Sequence, residues 1–102
     1  MAATGEPLQP ADARALIKRI LQSGGTTWDT SAKSHFLKEM AADELVLVDC
    51  INVLRGGIPG PAEWNDEYEE FRYCVRTNKI CVVVAFVSDQ ELFIVTTWRN
   101  KP

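Results

Sequence analysis

Apolar residues recur along this chain with three different periods. Ala13, Leu16, Ile17, Ile20 and Leu21 follow a helical repeat that Gly24-Gly25 ends. Pro10 suits the first turn, so a helix is expected from residue 10 to the glycine pair. Residues 26–29 read as a short connection. Thr30 or Ser31 can cap a second helix running to about residue 41, with Phe36, Leu37 and Met40 as its apolar face. Asp43 can cap a third helix to about residue 55. There Leu47, Cys50, Ile51 and Leu54 occupy positions i, i+3, i+4 and i+7, and Gly56-Gly57 is a stop.

Beyond a loop with two prolines and an acidic cluster the period changes to two. Phe71, Tyr73 and Val75 alternate with Arg72, Cys74 and Arg76, which predicts a strand with one packed face and one arginine-bearing face. Residues 80–87 are apolar at every position, as in a strand covered on both sides at the centre of a meander. A third strand follows over 91–98. Thr77-Asn78-Lys79 and Ser88-Asp89-Gln90 are suitable hairpin connections. The order is three helices, then three strands: an α+β fold whose N-terminal helices pack on a C-terminal three-stranded, or slightly larger, antiparallel sheet. Residues 1–9 are expected as a flexible tail and 10–102 as a single domain. The last strand is expected at a sheet edge, open to pairing with a partner strand or a second copy.

Composition narrows the function. A chain of 102 residues with 46% hydrophobic content can bury a core. The net charge of −3 lacks the basic excess of a generic nucleic-acid binder, yet past Glu70 basic residues outnumber acidic ones. Three cysteines, Cys50, Cys74 and Cys81, without CxxC spacing are expected as buried free thiols in a reducing compartment. MAATGEPLQP has neither a basic n-region nor an apolar h-region, and no apolar run approaches membrane-spanning length, so a cytoplasmic location is expected. His35 is the one histidine, which disfavours zinc, and no cofactor motif is present; GGIPG is a loop rather than a phosphate cradle.

The remaining chemistry lies in His35, Arg72 and Arg76, with Lys33, Lys38, Tyr73 and Arg99 as further candidates. A histidine that titrates near neutral pH and arginines that hold a phosphate suit metal-free RNA cleavage. The plain alternative is a solvated helix face and a solvated strand face.

The run Ser34-His35 with Met40, the helix end VLRGG, the arginine-bearing strand, ICVVVAF and LFIVTTW resemble the RelE-like uncharacterised domains. ADELVLVDCINVL, with IKRILQSGG and ELFIVTTW, is similar to the MqsR toxins of the same barnase–RelE-like fold. The resemblance covers about two-thirds of the chain. It implies a type II toxin acting as an mRNA endoribonuclease, neutralised by a cognate antitoxin protein. A homodimer is an expectation of the open strand edge, not of the resemblance. The resemblance carries His35 onto the helix histidine, Arg72 or Arg76 onto the strand arginine, and Thr96 onto the last-strand threonine. Asp43 stands where the family often has a second basic residue. Two other readings stay open: a non-catalytic interaction module on the same fold, and a small-molecule or peptide binder using the sheet face near Trp64 and Trp98.

Overall fold

The computed structural model describes residues 5–100. Its elements run α1 (Pro10–Ser23), β1 (Thr26–Trp28), α2 (His35–Ala42), α3 (Leu47–Gly56), β2 (Ile58–Pro59), β3 (Glu63–Asn65), β4 (Glu70–Arg76), β5 (Ile80–Ser88) and β6 (Glu91–Arg99). The α+β class and the β4–β5–β6 meander are as expected. The sheet is larger, with order β1-β6-β5-β4-β2 and β3 paired to β4 off that path. β1 runs parallel to β6, so the sheet is mixed. The added strands have two or three residues, too few to show a period.

Strand β5 is central, as its unbroken apolar run requires. Val82, Val84 and Phe86 face a core shared with Tyr73 and Val75 of β4 and Leu92 and Ile94 of β6. Ile17 and Ile20 of α1 and Cys50, Val53 and Leu54 of α3 close that core from the helical side. The Cys50 thiol is pushed up in pKa chiefly by its burial, which makes it a core residue and a poor nucleophile.

Four local expectations are corrected. Ser34, not Thr30 or Ser31, caps α2, its hydroxyl accepting the Leu37 N–H at 3.2 Å. Asp43 closes the C-terminus of α2 rather than opening α3. Glu44 after it takes the left-handed conformation (φ 56°), with Leu45 N–H donating to the Met40 carbonyl. At α3 it is the Asp49 carboxylate that accepts the Val46 N–H. The β6 edge is also occupied: β1 pairs with Leu92–Ile94, α2 packs against the strand, and the Asp43 carboxylate accepts the Arg99 backbone N–H at 2.8 Å.

Two further differences come from contacts between elements. Cys74 and Cys81 are disulfide-bonded, and only Cys50 is free. Cys74 lies opposite Val83, and Cys81 opposite Arg76, so the pair are diagonal neighbours on the face away from the core. Of the expected tail, residues 1–4 lie outside the described residues. Beyond them, the Leu8 N–H donates to the Tyr73 hydroxyl, which donates to the Glu6 carboxylate, so this stretch is attached to the sheet.

Candidate functional site

The outer face of the sheet is a ladder of rows. Cys74, Val83 and Thr96 share one row, and Arg76, Cys81 and Trp98 the next. Arg72 lies one step beyond Cys74 on the same face, because side chains two residues apart on a strand point the same way. Near Arg72 the rows run into a cleft of about 670 Å³ between β4, β6 and the start of α2, within the range of small-ligand sites.

Two of the expected site residues line this cleft. His35 enters from the first turn of α2, set there by the buried Ser34 cap. Its side chain is 70% exposed, with Nε2 3.7 Å from the Glu39 carboxylate. Arg72 enters from β4, two-thirds or more buried along its length. Its Nε donates to the Glu70 carboxylate at 2.9 Å, and its guanidinium lies 5.0 Å from the centre of the Tyr68 ring. Those contacts fix the plane of the group while leaving its terminal nitrogens without a hydrogen-bond partner among the described residues. Phe36, Phe93 and Val95 supply the apolar wall, and Asp29 lines the rim. The Ser31 backbone N–H and side chain hydrogen-bond the Asp29 carboxylate and hold it below the usual carboxylate range, so it is a weak base.

Arg76 and Thr96 do not line this cleft. Arg76 belongs to a separate opening at the far end of β4, with Asn78 and the Ile58–Pro61 turn. Thr96 sits beside Val83 in the middle of the face. A register shift between Val83 and Val84 leaves Val95 unpaired and reverses the phase of β6, so Thr97, not Thr96, turns inward and donates to the Cys81 carbonyl at 2.8 Å. Tyr73 is core, Arg99 is bonded to Asp43, and Lys33 and Lys38 are exposed outside the cleft.

Glu70 and Tyr68, which the sequence places in an acidic loop, also line the cleft. The alternation that marked Arg72 and Arg76 extends back to Glu70, and that signal was available. No signal in the sequence places Phe36, Phe93 or Asp29 beside it, since three separate elements converge there.

Chemically, the cleft offers an imidazole, two carboxylates, a fixed guanidinium and an aromatic surface. No protein-family model matches the chain, and neither the curated proteins nor the solved structures include a match. Among the described residues no helix is long and apolar enough to cross a membrane.

Proposed function

We propose that the cleft between α2 and β4 is the active site of a toxin-type endoribonuclease that cuts mRNA without a metal and is neutralised by a partner antitoxin. The observation that carries the reading is that His35 and Arg72, singled out separately in the sequence, line one cleft together with Glu70. In the reaction, a basic group takes the proton of the ribose 2′-hydroxyl. The resulting oxygen attacks phosphorus, the P–O5′ bond breaks, and an acid returns a proton to the 5′-oxygen. Glu70 has the chemistry of the base and His35 that of the acid, leaving a 2′,3′-cyclic phosphate and a free 5′-hydroxyl. Arg72 holds the phosphate as its charge builds. Tyr68 and Phe93 offer rings for a base to rest on. Arg76 and Thr96 have no part in the chemical step.

The test is purified protein and single-stranded RNA in excess chelator. Expected is cleavage with cyclic-phosphate ends, reduced roughly 10²–10⁴-fold in His35→Ala or Glu70→Gln and strongly in Arg72→Ala. Cleavage unchanged in all three variants would refute the site. A second reading, a non-catalytic interaction module on the same fold, is favoured by the carboxylates of Asp29 and Glu70 in the cleft and by the net charge of −3. RNA left intact by wild-type protein in molar excess selects that reading.

A further inference from the structure

Arg76 lies on the same face of the same strand as Arg72, but it lines a different opening of about 540 Å³. Four residues of strand put the two Cα atoms roughly 13 Å apart. The two guanidinium groups also lean the same way. Arg72 reaches back to Glu70, and Arg76 Nη2 donates to Cys74 Sγ at 3.7 Å, each contacting the residue two before it. The spacing of the Cα atoms is therefore kept at the charged ends, and one phosphate does not serve both.

The two openings also differ in charge. Arg72 has Glu70 as a partner and Glu63 opposite it in register. None of the residues lining the Arg76 opening is acidic, and Asn78 adds an amide donor there. Trp98 stands in the same row as Arg76, 38% exposed, with Cys81 between them. A cation with a nearby exposed indole on an open sheet face is the combination that holds a phosphate and stacks a base.

We propose that the Arg76 opening is a second phosphate subsite for a single-stranded RNA lying along β4, with Trp98 as the platform for a neighbouring base. The inference rests on the RNA-cleavage reading of the Arg72 cleft and adds to it that the substrate is longer than a dinucleotide. The reacting phosphate lies at Arg72 and another phosphate of the same strand at Arg76.

The experiment measures binding apart from cleavage. Fluorescently labelled 2′-O-methyl oligonucleotides, which lack the attacking hydroxyl, are titrated as a dinucleotide and as a single-stranded octamer. Wild-type protein is expected to bind the octamer at least tenfold more tightly than the dinucleotide. Arg76→Ala is expected to lose about tenfold for the octamer and nothing for the dinucleotide. It should also flatten the octamer's salt dependence by about 0.7 in log K against log salt, one phosphate contact. Arg76→Lys should recover part of the loss, and matching circular dichroism melts exclude misfolding. An equal effect on both lengths, no effect on either, or inorganic phosphate competing as well as the octamer does would overturn the subsite. If RNA is not cleaved but the Arg76-dependent length increment is present, the catalytic reading fails and the subsite stands.

Discussion

Removing one oxygen, in Tyr73→Phe, tests how the N-terminal stretch is held. The Tyr73 ring is fully buried and packs against Phe86 with ring centres 5.1 Å apart. Its hydroxyl accepts the Leu8 N–H at 3.0 Å and donates to the Glu6 carboxylate at 2.9 Å. Phenylalanine keeps the packing and deletes both bonds, a loss of about 1–2 kcal/mol near neutral pH. For a domain of this size that lowers Tm by about 4–8 °C per kcal/mol. The hydroxyl also gives the variant a pH signature. Burial first, and the Glu6 carboxylate after it, push its pKa from 10.0 up to about 12, with the Leu8 N–H partly opposing. In the unfolded chain the phenol ionises near pH 10, whereas the folded state resists ionisation. The stabilisation is therefore complete below pH 10 and is lost as pH rises towards 12, by up to about 2–3 kcal/mol. Phenylalanine has no such loss. Urea unfolding followed by tryptophan fluorescence should show wild type more stable at pH 7–9, with the two proteins converging or crossing by about pH 11.5. Other titrating groups are common to both and cancel. A gap that stays constant or widens between pH 9 and 11.5 refutes the argument.

Gly25→Ala should be severe, because a Cβ there would overlap the Gln90 carbonyl oxygen where β1 passes the β5–β6 turn. A loss above about 2 kcal/mol in urea is expected, while Gly56→Ala, with open space around it, should be neutral or slightly stabilising. Asp43→Ala releases the Arg99 backbone N–H and should speed its amide hydrogen exchange, at a stability cost of about 0.5–1.5 kcal/mol.

The parts of the fold that could be read from sequence are those with enough length to display a period. β5 is apolar over its whole run because it is central, and α1 is bounded by its own glycines. Arg72 and Arg76 share a face because a strand alternates. Helix caps were less legible. Ser34 and Asp49 do not stand out from Thr30, Ser31 and Asp43, since several Ser, Thr and Asp residues near each start are chemically equivalent as caps until the chain's path is known. On the site, His35 and Arg72 could be picked out by chemistry, but that they line one cleft could not, and Glu70 was hidden in a run of acids.

Local order thus determined the elements, the central strand and the two-faced character of β4, because these depend on side-chain chemistry repeated over neighbouring residues. Tertiary structure decided which residues share a cavity. A turn of three residues became β1 because β6 had a free edge beside it. One unpaired residue, Val95, exchanged the roles of Thr96 and Thr97. Four residues of strand put Arg76 in a different opening from Arg72. The pairing of β1 and the unpaired Val95 depend on contacts between separate elements, and those have no signature in local periodicity.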